Sequence, residues 1–146
     1  QNNPVIRLHK HHNELHPVFS AEDILGMTEF FLEKKQVDEN NAGTISFIMV
    51  SKTGLHAFRV SNVAEAEHFS GIYPTNNTKE IFIDAYVKEV VIESIKECNC
   101  TSGAVFDQLL FDNFITFFKG FVWGFDYFYA PHPTDPTDNY TWTKKS

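Results

Sequence analysis

Cysteine is scarce in this chain. Among its 146 residues there are two cysteines, Cys98 and Cys100. A single residue separates them, so we expect them to be poorly placed to bridge each other, and they form neither a disulfide framework nor a CxxC pair. This scarcity fits a reducing compartment but does not decide against secretion, so the location stays open.

Long basic runs and long apolar runs are also missing. The formal net charge is -7, and the chain contains no long stretch of lysine or arginine. Such a charge disfavours contact with a phosphate backbone, so we expect no nucleic-acid partner. The apolar runs fall well short of the about 18 residues that a membrane-spanning helix needs. The chain begins at Gln1 with no recognisable leader, which suggests a piece of a longer protein.

Apolar and aromatic residues are abundant. Hydrophobic residues make up 42% of the chain and aromatic residues 15%, with fifteen phenylalanines. A chain of this length and composition predicts one globular domain whose core is rich in large flat side chains. We assign residues 1–130 to this domain. The following "PHPTDPTDNYTWTKKS" is poor in aliphatic residues and predicts a flexible tail or partner-binding arm over residues 131–146.

Periodicity predicts an α/β (α+β) fold. Short runs rich in β-branched and aromatic residues indicate strands, and apolar residues three and four positions apart indicate helices. The predicted strands are a buried one at residues 5–8, a hairpin at 44–51 and 55–60, and an extended "FVWGFDYFYA". The predicted helices are at about 20–36, in "NVAEAEHFSGI", at about 79–97, and from Phe106 to Gly120.

Four histidines lie within eight positions near the start of the chain, at residues 9, 11, 12 and 16. Side chains alternate in an extended segment, so His9 and His11 point the same way and can bind one ion. Asp23, in the first turn of the next helix, would complete three protein ligands, leaving the fourth position of a hydrolytic zinc site to water. Ser20 could donate a hydrogen bond to a developing oxyanion. His12 and His16 are expected to be solvated loop residues.

The spacing of His9, His11, Ser20 and Asp23 resembles the pattern of the JAB/JAMM (MPN) metallopeptidase family. The resemblance implies that His9, His11 and Asp23 hold a catalytic zinc and that Ser20 stabilises the tetrahedral intermediate of peptide or isopeptide hydrolysis. It also implies an MPN-like sheet flanked by helices, and a protein or peptide substrate. The phrase "FSAEDI" is similar to JAB-type domains at the C-terminus of bacterial surface and polymorphic-toxin proteins, whose partners would include the N-terminal remainder of the protein or an immunity protein.

The catalytic base of that family has no counterpart before His9. Family members carry a glutamate on an upstream strand, and the residues preceding His9 contain no acid. We expect that glutamate, and the N-terminal strands of the fold, to come from a segment upstream of this chain. Otherwise Glu14 or Glu22 substitutes for it, or the domain is inactive.

Other interpretations of the same residues remain open. "SAED" is also a good helix start, with Ser20 as the cap and acids in the first turn, and this needs no metal. The chain could then be an inactive MPN-like interaction module that binds a partner through its aromatic strand and tail, or a toxin domain with a non-proteolytic activity. His56 and His68 lack partners at ligand spacing and are expected to be ordinary, partly buried histidines.

Overall fold

A computed structural model describes residues 5–11, 16–72 and 76–145 of the chain. Its described part is a mixed α/β structure, which confirms the predicted fold class, whereas the MPN-like arrangement stays a prediction. The strands are β1 (Val5–Lys10), β2 (Ile45–Val50), β3 (Gly54–Val60), β4 (Phe125–Pro131) and β5 (Thr143–Lys144). The helices are α1 (Ala21–Val37), α2 (Val63–Ile72), α3 (Asn76–Tyr86), α4 (Glu93–Cys98) and α5 (Ala104–Lys119). A 3₁₀ helix covers Glu39–Thr44, and a π-helical segment, Val87–Ile92, joins α3 to α4.

The five strands form one sheet in sequence order. β1 lies parallel to β2, and the pairs β2–β3, β3–β4 and β4–β5 are antiparallel. β1 and β2 can lie parallel because α1 connects them and returns the chain to the end of the sheet at which β1 begins. The predicted hairpin is confirmed, with strands that begin and end within one residue of the predicted bounds.

The hydrophobic core lies on one face of this sheet. Residues 45, 47 and 49 of β2 alternate with less buried neighbours, as a strand with one face in the core should. They pack with buried residues of α1, α2, α3 and α5 in a cluster that contains eight phenylalanines from Phe19 to Phe118 with less than 4% exposure. The predicted aromatic core is therefore present.

β1 lies at the edge of the sheet, and the prediction of a buried strand there was wrong. Ile6 and Leu8 are 58% and 69% exposed. A run of four apolar or long side chains predicts a strand. It does not show whether the sheet continues on one side of that strand or on both sides. Among the described strands β1 pairs with β2 alone, so its outer side is not covered by sheet.

The two cysteines are joined, which corrects the expectation that they are poorly placed to bridge. Cys98 ends α4, and Asn99 follows in the left-handed conformation with φ 51°. This turn folds the chain back so that the Cα atoms of Cys98 and Cys100 lie 5.2 Å apart, within disulfide range. The sequence spacing alone did not reveal the turn.

The segment after residue 130 returns to the sheet. β5 pairs with β4, and the Lys145 N–H donates to the Tyr127 carbonyl at 2.8 Å. His132 is held through its Nε2, which donates to the Ser51 carbonyl at 2.7 Å. The division of the chain at residue 130 stays a prediction. None of the described helices is long and apolar enough to cross a membrane.

Candidate metal centre

The end of β1 and the start of α1 meet at one corner of the sheet. The His11 N–H donates to the Val50 carbonyl at 2.8 Å, so the extended backbone of β1 continues through His11. His9 and His11 consequently point to the same face, the one on which α1 packs. Their rings lie 4.9 Å apart, centroid to centroid, at an interplanar angle of 81°.

The Asp23 carboxylate reaches both histidines. Its Oδ1 is 3.2 Å from Nε2 of His9, and its Oδ2 is 2.9 Å from Nε2 of His11. One ligand atom from each of the three residues lies within 4.8 Å of the other two. The structure thus brings together the three residues that the sequence predicted as metal ligands.

A helix cap fixes the Asp23 carboxylate. The Ser20 N–H donates to Oδ2 of Asp23 at 2.9 Å, and the Asp23 N–H donates to Oγ of Ser20 at 3.1 Å. This is a capping box, in which the side chains of the cap residue and of the third helical residue each accept from the other's backbone. The helix-start interpretation of "SAED" is confirmed, and it also points the carboxylate at the histidines. An additional role of Ser20 at an oxyanion stays a prediction.

The backbone carbonyl of His16 sets the tautomer of His11. It lies 2.9 Å from Nδ1 of His11, so that nitrogen carries the proton and donates. In a neutral ring Nε2 would then be an acceptor facing the Asp23 carboxylate, another acceptor, at 2.9 Å. The contact is favourable when a positive charge, either a proton or a metal ion, lies between them.

The pKa values of His11 and Asp23 are both shifted in the direction that favours the charged side chain. Burial acts to lower the pKa of His11, but the hydrogen bond to Asp23, the His16 carbonyl and the Asp23 charge outweigh it and raise that pKa. Burial acts to raise the pKa of Asp23, but its hydrogen bonds to His11 and Ser20 and the proximity of His9 lower it. The charged pair is therefore stabilised by its surroundings.

These residues fit a metal ion. Two imidazole nitrogens and one carboxylate oxygen are a donor set of catalytic zinc sites. His11 donates its other ring nitrogen to a backbone carbonyl, which is the outer contact that orients metal-bound histidines. The His-His-Asp group could therefore hold a metal ion, with the side chain of Asp23 16% exposed and that of His9 40% exposed to the cleft.

A cleft of about 650 Å³ opens beside His9, His11 and Asp23. One wall is apolar and comes from Val18, Val87 and Val91. The last two belong to the π-helical segment, and such segments occur often at functional sites. Lys10 and Glu22 add one charge of each sign to the lining.

Sequence reasoning missed the contribution of Tyr86 to this cleft. Tyr86 is buried, and its hydroxyl donates to the Phe19 carbonyl, which fixes α3 against the loop before α1. Burial, together with the charges of Asp23 and Glu22, raises the pKa of Tyr86. Within its helix Tyr86 is one aromatic residue near an apolar stripe, and no local spacing links it to the histidines.

The other residues singled out in the sequence are dispersed. Glu22 is exposed at the cleft, whereas Glu14 and His12 lie outside the described residues. His16 is exposed, as predicted for a loop residue. His56 is 0% exposed rather than partly buried, and His68 is exposed.

Comparisons with protein-family models, with curated proteins and with solved structures find no match to this chain.

Proposed function

We propose that this chain is a zinc-dependent peptidase or isopeptidase domain of JAB/JAMM type. The observation that carries the proposal is the convergence of His9, His11 and Asp23 on one point beside an open cleft. Zinc held there would polarise a scissile carbonyl and lower the pKa of a water molecule at its open position. The cleft supplies the room for a polypeptide next to the ligands.

The residues around the ligands have positioning roles. Ser20 and the His16 carbonyl hold the Asp23 carboxylate and the His11 ring in place, so the ligand atoms need little reorganisation. The Ser20 Oγ accepts from the Asp23 N–H, and its own hydroxyl proton stays available to donate to a developing oxyanion.

The resemblance implies a base from an upstream segment; within the described residues, Glu22 is the carboxylate best placed to act as the base. It lines the cleft beside Asp23 and is exposed to it. Asp23 itself is committed to the histidines, so it cannot accept a proton without losing those contacts. In this proposal Glu22 takes the proton from the attacking water and later gives it to the leaving amine.

The test is hydrolysis of linear and lysine-linked peptides by the zinc-loaded chain, followed by mass spectrometry of the products. Cleavage should require zinc, stop on chelation and stop in His11→Ala. Glu22→Gln should keep its zinc but cleave on the order of a hundredfold more slowly, as expected when general-base catalysis is lost. Glu29→Gln, an exposed acid further along α1, is the matched control and should cleave at the wild-type rate.

Equal cleavage by wild type and Glu22→Gln would reject Glu22 as the base while leaving the zinc site intact. Cleavage that persists in His11→Ala or in the presence of a chelator would contradict the proposed function as a whole.

A further inference from the structure

Within the described residues, the outer edge of β1 has no paired strand, and this edge lies next to the candidate metal centre. Among the described strands β1 pairs with β2 alone, and His9 belongs to β1 itself. An uncovered strand edge is a template for an additional strand, whose main-chain hydrogen bonds supply affinity. A polypeptide added here would run directly past His9 and His11.

Two cations lie beside this edge on the side of α1. The guanidinium of Arg7 lies 5.4 Å from the centre of the Phe30 ring and 5.5 Å from that of Phe47. The ammonium of Lys34 lies 5.6 Å from the centre of the Phe30 ring. Phe30 therefore holds both charges in one place through cation–π contacts.

These cations are not neutralised within the described part of the chain. Its ion pairs involve other lysines and the histidines, and none of them includes Arg7 or Lys34. A chain with a formal net charge of -7 offers many acids that could have paired with them. Two fixed, unpaired cations at a strand edge are complementary to an anionic side chain of a bound partner.

The opposite side of the same edge is apolar. Ile6 and Leu8 alternate with Arg7 and His9 along β1, and both are largely exposed. An added strand also alternates, so one set of its side chains would face Ile6 and Leu8 while the other faces Arg7 and the metal centre. This pattern specifies an amphipathic occupant.

We infer that the polypeptide substrate binds as an added strand along β1, with an acidic side chain bound by Arg7 and Lys34 and apolar side chains over Ile6 and Leu8. This inference rests on the proposed function, because the bound peptide is a substrate only if the chain is a peptidase. Arg7 precedes His9 by two residues, a distance of about 7 Å along a strand. The acidic residue therefore lies about two residues from the one beside His9.

A second copy of the chain fits this edge less well. Two β1 strands paired with each other would bring Arg7 and Lys10 close to the same residues of the other copy, and like charges opposite each other destabilise a strand pair. Basic side chains on an edge strand also discourage such pairing. The charge of β1 thus favours an acidic occupant over another β1.

The test uses metal-free protein and two short capped peptides, Thr-Val-Glu-Val-Glu-Val-Thr and its twin with glutamine at both glutamate positions. Binding is followed by amide chemical shifts and hydrogen exchange in NMR. The acidic peptide should protect the amides of β1 and bind about tenfold more tightly than its twin, a difference of about 1.4 kcal/mol. Arg7→Gln with Lys34→Gln should remove the preference, and Arg7→Lys should keep it.

Arg59→Gln with Lys96→Gln is the matched control, because it removes the same charge from residues away from β1 and should leave the preference unchanged. The inference is overturned if neither peptide protects β1 or if both bind equally. It is also overturned if β1 is protected without peptide in proportion to protein concentration, which would indicate a second copy. Zinc content, measured on the same proteins, tests the proposed function separately, because binding of the acidic peptide does not depend on zinc.

Discussion

At the scale of single residues, Asp23 combines a role in folding with a position in the candidate metal centre. Its carboxylate accepts from the Ser20 N–H, which stabilises the start of α1, and it also faces both histidines. A carboxylate fixed by its own helix cap loses little side-chain freedom on binding a metal. The two interpretations of "SAED", helix cap and metal site, are therefore compatible.

Replacing Asp23 by asparagine tests the pairing of the Asp23 carboxylate with His11 in the metal-free protein. The variant keeps an acceptor for Ser20 but loses the charge opposite His11, so we expect it to be less stable by about 1–3 kcal/mol. The pKa of His11 is raised, so its contribution to folding stability is complete below its ordinary pKa of 6.5. That contribution declines as the pH rises through the pKa of His11 in the folded protein. The pKa of Asp23 is lowered, so its contribution to folding stability is complete above its ordinary pKa of 3.8. That contribution declines as the pH falls through the pKa of Asp23 in the folded protein.

The stability difference between wild type and Asp23→Asn should consequently be largest between about pH 4 and 6.5, as measured by urea unfolding in the presence of a chelator. Asp84→Asn, an exposed acid in α3, should show no such maximum. A pH-independent difference for Asp23→Asn would mean that the charge pair does not form.

His56 is a second residue whose ionisation matters, and it lies within the core. Its Nε2 is 3.0 Å from the Ser51 Oγ, and its Nδ1 is hydrogen-bonded to the Tyr127 hydroxyl. Burial, together with the charges of His11 and His132, lowers the pKa of His56 to about 3. The ring is thus neutral in the folded protein at all but strongly acidic pH.

This lowered pKa predicts acid sensitivity. Unfolded His56 takes up a proton below pH 6.5 whereas folded His56 does not, so stability should fall as the pH decreases from 6.5 to about 3. His56→Phe should show a shallower decrease over this range in urea unfolding, although it removes the hydrogen bonds of the ring to Ser51 and Tyr127 and is less stable at pH 7 by about 1–3 kcal/mol. His68→Phe, at an exposed site, should keep the wild-type slope. An unchanged slope in His56→Phe would contradict a neutral buried ring.

At the scale of elements, β4 fixes the sheet against α2 through a close backbone contact. Gly124, with φ 74°, precedes β4, and its carbonyl accepts from the N–H groups of Ser61 and Asn62. A Cβ atom at this position would lie 2.3 Å from the Ala66 nitrogen and 2.4 Å from the Asn62 oxygen. Neither backbone atom can move without displacing the start of α2.

Gly124→Ala should therefore lower the free energy of unfolding by about 1–3 kcal/mol, the usual cost of forcing an extra methyl group into a packed site. Gly26→Ala is the matched substitution, since a Cβ there has no atom within 4 Å and lies inside α1. It should raise stability by roughly 0.5–1 kcal/mol because alanine favours a helix over glycine. Urea unfolding measures both, and equal effects of the two substitutions would contradict the close contact at Gly124.

Elements with a repeating pattern were predictable from the sequence, and their surroundings were not. The hairpin was predicted from β-branched and aromatic residues on both sides of a turn at residues 52–54, which is a local signal, and it was predicted well. The exposure of β1 depends on which strands lie beside it, and the bridge between the cysteines depends on the left-handed turn at Asn99. The exposure of β1 is not encoded in a short local pattern, and the spacing of the two cysteines alone did not indicate the turn.

The same contrast holds for the candidate site. His9, His11 and Asp23 could be identified because strand alternation and a helix start place them together through local geometry. Tyr86 reaches the site through a contact with Phe19, 67 residues earlier in the chain. The sequence gives no spacing for such a contact, which depends on how α3 packs against α1 and the loop before it.

At the scale of the whole molecule, the charge is distributed unevenly. The chain carries a formal net charge of -7, yet Arg7 and Lys34 lie together at the Phe30 ring beside the outer edge of β1. These two cations would attract an anionic side chain to that edge, whereas Glu22 and Asp23 line the neighbouring cleft. The inferred preference for an acidic peptide depends on this pair of cations.

The most direct test of the account is the number of zinc ions held by the chain after equilibrium dialysis against a zinc buffer. Wild type should retain about one ion per chain, and His9→Ala with Asp23→Ala should retain none, because a catalytic zinc site needs three protein ligands. A wild-type protein that stays metal-free in zinc-replete buffer, or a double variant that still binds one ion, would contradict the claim that His9, His11 and Asp23 form a metal centre.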